Sequence, residues 1–224
     1  MTDMANKKGN ICVLRIIATL AVILLHTCNA ISNNSEKYTF VGNQFFVLTS
    51  IESLMNWSVP VFLMISGSLL IKTDTDITYD IVLKKYCKRI LLALMIFGVP
   101  FALIKLFSQG YQITIQTILE SFLMVCKGNS WGHLWYLYIL LELYLVLPVI
   151  NTFVNYSSRK TVLNFEIILF MIGFIIPILF AWFQIGTTYD IPFGLAYAVF
   201  YFILGKYLSD SKLKNNKRLL FVFF

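Results

Sequence analysis

The sequence predicts an all-α fold, a polytopic helical membrane protein with six complete transmembrane helices and the start of a seventh. Three observations carry this. Of the 224 residues, 58% are hydrophobic and 13% charged, with a mean hydropathy of +0.77; soluble domains run about 45–50% apolar and about 25% charged. The apolar residues gather in runs of roughly twenty, the length a helix needs to cross a hydrocarbon core about 30 Å thick, and helices satisfy their own backbone hydrogen bonds in lipid. The basic residues alternate between loops. With a cytoplasmic N-terminus, fifteen of the 18 lysines and arginines fall on the inner side, and only Lys37, Lys105 and Lys127 on the outer. That asymmetry fits the positive-inside rule, so the formal charge of +7 reports topology and argues against a nucleic-acid partner.

The first span covers 11–31. Lys7 and Lys8, the apolar Ile16–Leu25 and "CNA" at 28–30 imitate a signal peptide, but cleavage would discard Arg15 and His26, and an uncleaved span is expected. Residues 32–50, with "SNNSEK", form an outer loop before a second span at 51–71. In that span Glu52, Asn56 and Pro60 share a face, while Ser58, Ser66, Gly67 and Ser68 suit close helix packing. The inner loop 72–89, "KTDTDITYDIVLKKYCKR", reads as a Thr/Asp turn and then a basic helix leading into a third span at 90–107. Between 108 and 133, Ile115, Ile118, Leu119, Phe122 and Leu123 recur at helical spacing opposite Gln116, Thr117, Glu120 and Ser121. This piece is too short to span and is expected to lie flat on the outer surface or cap a cavity.

Further spans are expected at 134–150, 163–183 and 192–208, with a seventh beginning at Leu219. Pro60, Pro100, Pro148, Pro177 and Pro192 lie in or beside spans and predict kinks, the freed carbonyls being re-satisfied by neighbours. Cys12, Cys28, Cys87 and Cys126 show neither C-x-x-C nor metal-ligand spacing and read as reduced, apolar side chains. Nothing in the sequence calls for a metal. No repeat or soluble domain interrupts the chain, which reads as one membrane unit.

Ionisable groups inside spans are costly and point to function. Arg15 and His26 are eleven positions apart, about 16 Å along a helix and nearly on one face. Arg15 has two physical readings, snorkelling to the inner headgroups or service to a site. His26 is either a hydrogen-bonded structural residue or a proton-transfer group, since imidazole titrates near neutrality. Glu142, in the middle of "LWYLYILLELYLVLPVI", must be neutralised, paired or turned to a polar cavity. Entering from the opposite side, it could pair with His26 as a general-base dyad, or the two could be a structural pair. His133 beside Trp131 and Trp135 suits an interfacial aromatic belt as well as it suits catalysis. Arg89 and its basic neighbours are topological anchors or a phosphate site.

Together these segments resemble the acyltransferase 3 family of membrane O-acyltransferases. "RIIATLAVILLH" at 15–26 looks like its arginine–ten residues–histidine signature, and "WSVPVFLMISGSLL" at 57–70 is similar to its second-span pattern. "KKYCKRI" at 84–90 resembles its basic inner-loop motif, and "HLWYLYILLELYLVLPVI" at 133–150 its Trp-aromatic-Leu, Glu, Tyr, Pro span. The four motifs occur in order. The resemblance implies transfer of an acyl group, usually acetyl, from acetyl-CoA or another acyl-CoA to a hydroxyl of a cell-envelope carbohydrate or its lipid-linked precursor, with no metal. It implies His26 as catalytic base, Arg15 orienting or stabilising the donor, Glu142 supporting the reaction centre, and Arg89 with Lys85 near the cofactor phosphates. The expected setting is the plasma membrane, multi-pass, N-terminus cytoplasmic. The H-x-x-x-x-D motif of another acyltransferase class is absent, since His26 is followed by Ile31 and His133 by Tyr138. The family commonly has about ten spans, so residues 1–224 read as a single domain incomplete at its C-terminus. An export or flippase-like transporter would use kinked spans and a buried carboxylate equally well, and a membrane sensor module without catalysis is a further alternative.

Overall fold

The computed structural model describes residues 2–33, 43–73, 75–184 and 191–209. Among these there is no strand, and eight helices carry the architecture: α1 (Thr2–Asn33), α2 (Gln44–Met55), α3 (Ser58–Leu70), α4 (Tyr79–Ser108), α5 (Ile115–Cys126), α6 (Trp135–Tyr156), α7 (Arg159–Trp182) and α8 (Ile191–Ser209). Five stretches are long and apolar enough to cross a membrane: Gly9–Ser32, Gln44–Leu70 (α2 with α3), Tyr79–Ser108, Gly132–Tyr156 and Arg159–Trp182. The described apolar part of α8, Gly194–Ser209, is shorter. The expected seventh span at Leu219, residues 34–37 of the "SNNSEK" segment and the Lys7 and Lys8 side chains lie outside the described residues, while Ser32 and Asn33 end α1.

Boundaries differ from expectation in one direction: the helices are longer than their apolar runs. The second begins at Gln44, inside the expected outer loop, and the third takes up the basic helix of the inner loop and starts at Tyr79. The fourth continues six residues beyond 150 to Tyr156. Polar residues extend a helix without adding to a hydropathy window, so hydropathy marks the lipid-crossing core and not the helix end.

Pro60, Pro100 and Pro177 lie beside departures from the regular helical ladder, whereas Pro148 stands inside the unbroken α6 and the Pro192 side chain lies outside the described residues. Pro60 cannot donate to the Asn56 carbonyl; α2 ends at Met55, and the ladder resumes with Val61 N–H donating to Trp57 O at 3.2 Å. Wider π-helical turns at Leu94–Gly98 and Met171–Ile175 lie just before Pro100 and Pro177. A π turn shifts hydrogen bonds to five-residue spacing and absorbs the carbonyl that proline leaves unserved.

The chain falls into two compact units. The first comprises residues 1–70 and 201–224. Here α1 buries the small residues Ala18, Ala21 and Cys28. The C-terminal half of α8 meets α3 backbone to backbone: a Cβ on Gly67 would overlap the Phe202 carbonyl, and one on Gly205 would overlap the Met64 carbonyl. Two glycines, each against a carbonyl of the opposite helix, form a small-residue crossing of the kind expected around Gly67.

The second unit comprises residues 71–200. Its core includes Val82, Leu94, Leu143, Leu147 and Val162, all at most 2% exposed. Helices α4 and α6 run antiparallel, with Leu134 beside Gly98 at one end and the Tyr86 and Tyr144 rings 5.4 Å apart towards the other. An aromatic cluster of Phe170, Phe174, Tyr197 and Phe200 joins α7 to the first half of α8. Helix α5 also belongs to this unit. It packs back along α4 with Thr117, Ser121 and Val125 buried, which leaves Ile115, Leu119, Phe122 and Leu123 exposed.

Candidate functional site

In the first unit a single unbroken helix carries both residues of the Arg–ten residues–His segment. Arg15 is exposed and His26 half-buried, on the flank of the stripe formed by Ala18, Ala21 and Cys28. Thr19, between them on the same side, turns its hydroxyl back onto the Arg15 carbonyl at 2.7 Å. One turn beyond His26, Asn29 donates its amide N–H to Glu52 Oε1 at 2.6 Å. This hydrogen bond ties α1 to α2 and gives the Glu52 carboxylate a defined partner. The face shared by Glu52, Asn56 and Pro60 does not by itself reveal Asn29 as a partner; an amide and a carboxylate in successive spans are the available signal.

The second unit holds the other candidates. Lys85 and Arg89 are exposed and one turn apart near the start of α4, among Lys84 and Lys88. Lys84 pairs with Asp80 at 2.5 Å, and the Lys85 ammonium lies 6.0 Å from the centroid of the Tyr86 ring. Glu142 is half-buried on α6, two residues before Tyr144. Because Tyr144 meets Tyr86, three residues before Arg89, the antiparallel register puts Arg89 and Glu142 at one level of the unit. Neither Arg89 nor Glu142 makes an ion pair among the described residues. The longer helix also moves Glu142 off centre, about 10 Å from the Trp135 end and about 21 Å from the Tyr156 end. His26 belongs to the first unit and Glu142 to the second, and each is placed only within its own.

What positions the basic segment is a polar clamp that the sequence did not announce. Asn151, fully buried on α6, accepts from Lys72 N–H at 2.9 Å and donates to Thr75 O at 3.2 Å. One turn on, Asn155 donates to Lys72 O at 2.7 Å. Two amide side chains thus pair with three backbone groups of the loop that feeds α4. A second unforeseen residue is Glu166 on α7, 8% exposed, whose two carboxyl oxygens have no hydrogen-bond partner among the described residues. At the opposite end of α4, exposed His133 lies edge-on to Phe101, with ring centroids 5.4 Å apart, and to Trp131 at 6.1 Å. The four cysteines form no disulfide.

Several helices able to span a bilayer, with Arg, His and Glu carried inside them, define a multi-pass membrane protein. A family model for an acyltransferase domain matches residues 9–224, nearly the whole chain. The chain belongs to the acyltransferase 3 family. No curated protein and no solved structure matches it.

Proposed function

We propose that this protein is a plasma-membrane O-acyltransferase that moves an acyl group, usually acetyl, from cytoplasmic acetyl-CoA to a hydroxyl of a cell-envelope carbohydrate or its lipid-linked precursor. The observation that carries this reading is the acyltransferase-domain match over residues 9–224, which includes Arg15 and His26 on one helix. His26 takes the proton of the acceptor hydroxyl as that oxygen attacks the thioester carbonyl carbon. The carbon–sulfur bond breaks, and the leaving thiolate recovers the proton from the imidazolium, so ester and free thiol form with no net proton change. Arg15 neutralises charge developing on the donor side.

Lys85 and Arg89 suit the phosphates of the donor. Lys84, Lys85, Lys88 and Arg89 are exposed together, and among the described residues only Lys84 is paired with a carboxylate. Guanidinium and ammonium groups bind phosphate through charge-assisted hydrogen bonds. Glu142, level with Arg89, supports the reaction centre.

The test uses labelled acetyl-CoA with membranes carrying the protein and its native glycan. His26→Ala is expected to abolish labelled ester formation while the protein still inserts. Full acetylation by that variant would refute the catalytic assignment, and movement of glycan without label would indicate transport.

A further inference from the structure

We infer that the break in the second span at Asn56 and Trp57 binds the hydroxyl-rich acceptor, with Glu52 and the Asn56 carbonyl accepting from hydroxyls beside the one presented to His26. The inference rests on the proposed acyl transfer and adds where its second substrate is held. All of these groups belong to the first unit, and the Asn29–Glu52 hydrogen bond sets their register. Successive spans of one bilayer run antiparallel, and α1 packs along both α2 and α3. His26 lies three residues inward of Asn29 on α1, and Asn56 four residues inward of Glu52, or about 4.5 Å and about 6 Å along the two helices. His26 and Asn56 therefore stand at nearly one level, with Glu52 one turn further out.

The backbone at that level is open to a ligand. The Ser53 carbonyl accepts from Asn56 N–H at 3.4 Å, the Met55 carbonyl from the Ser58 hydroxyl at 2.8 Å, and the Trp57 carbonyl from Val61 N–H at 3.2 Å. The helical donor of the Asn56 carbonyl would be the nitrogen of Pro60, which has no hydrogen. That carbonyl and the Asn56 side-chain amide make no hydrogen bond among the described residues. Asn56 is nonetheless exposed, and it lies inside the Gln44–Leu70 stretch, about 18 Å from one end and about 21 Å from the other. Irregular backbone does not face lipid at such depth; where it is exposed it lines a water-filled cavity. Interrupted spans bind substrate in this way in secondary transporters.

Glu52 gives an independent argument. Its Oε1 takes the Asn29 amide N–H at 2.6 Å, while the half-buried carboxylate meets no cation and no second donor among the described residues. Oε2 is left with its full capacity to accept. A carboxylate and a backbone carbonyl are acceptors only, so together they select a ligand that brings O–H donors. A polyol meets that condition. A phosphate, itself an acceptor and an anion, is repelled by Glu52, which sets this place apart from the basic Lys85–Arg89 segment.

The test uses membranes carrying the full chain, labelled acetyl-CoA, and glycan extracted from the envelope of the source cells as the varied acceptor. Glu52→Gln keeps an oxygen for the Asn29 amide and removes the charge. It is expected to raise the glycan KM at least about tenfold, the loss of a charge-assisted hydrogen bond, with kcat and the acetyl-CoA KM unchanged. An unchanged glycan KM overturns the inference. So does a fall in kcat alone, the mark of a residue that only positions His26. Asn56→Cys decides where the first variant does not fold or the wild type transfers no label. Treated with a water-soluble thiol reagent and weighed, it is expected to carry one adduct more than wild type, formed more slowly when glycan is present. No extra adduct means that lipid or further protein covers the break, and an adduct rate indifferent to glycan means that no glycan binds there; either overturns the inference. Protection by glycan without acyl transfer would keep this site and refute the activity, whereas acyl transfer with unaltered Glu52→Gln kinetics would do the reverse.

Discussion

The two compact units are held together in different ways. In the first, α3 and α8 touch through bare backbone at Gly67 and Gly205, and α1 contributes alanines and a cysteine. In the second, aromatic rings stand between α4 and α6, Gly173 of α7 lies close to the Tyr197 backbone of α8, and a loop is pinned by the Asn151 and Asn155 amides. Bare-backbone contact gains dispersion from close approach and leaves no room for adjustment. Amide clamps tolerate wider helix spacing but fail when one donor or acceptor is lost. The helix of Arg15 and His26 thus stands in a region of small-residue packing with one amide tie, Asn29 to Glu52, and the Lys85–Arg89 segment follows a loop held by three amide hydrogen bonds.

This contrast is tested most severely at Gly67. A leucine there would drive its side chain into the Phe202 carbonyl, and Gly67→Leu is expected to cost more than about 3 kcal/mol. Thermal melting in detergent, followed by tryptophan fluorescence, would show loss of the folded species; a melting point within a few degrees of wild type would mean that the crossing is not tight. Next in size is Asn151→Ala, which strands the Lys72 N–H and Thr75 carbonyl and is expected to cost roughly 2–4 kcal/mol. Under the proposed function this variant should weaken acyl-CoA saturation more than turnover. If instead kcat alone falls, the clamp does not serve the donor segment.

Smaller effects sharpen the comparison. Glu52→Ala removes the acceptor of the Asn29 amide, at roughly 1–2 kcal/mol, and the same melt measures it; no change would leave the α1–α2 tie without energetic weight. Glu166→Gln should be close to neutral, since the carboxyl makes no hydrogen bond among the described residues for the amide to lose. Clear destabilisation by Gln would show that the carboxyl makes a contact beyond the described residues. Smallest of all, Lys84→Ala should change stability by less than about 1 kcal/mol, because an exposed i, i+4 ion pair is worth little.

How much of this was legible beforehand follows from the range of each interaction. Spans announce themselves through local hydropathy, and Arg15 and His26 through a fixed helical spacing. The break before Pro60 follows from a missing N–H four residues from its acceptor. The Asn151 clamp could not be read, because its partners are backbone groups 76 and 79 residues away in the chain. For α5 the periodicity gave two faces but not their direction. Thr117 and Ser121 take the protein side, a choice set by what α4 presents to them and not by their own spacing. Glu166 was hidden by its setting, a single carboxylate near the start of a long apolar run.

The paired asparagines have a mechanical consequence. With Lys72 and Thr75 tethered to α6, the turn entering α4 cannot swing as an independent flap. Displacing that turn must therefore either break an amide contact or move α6 with it, the helix that also carries Glu142.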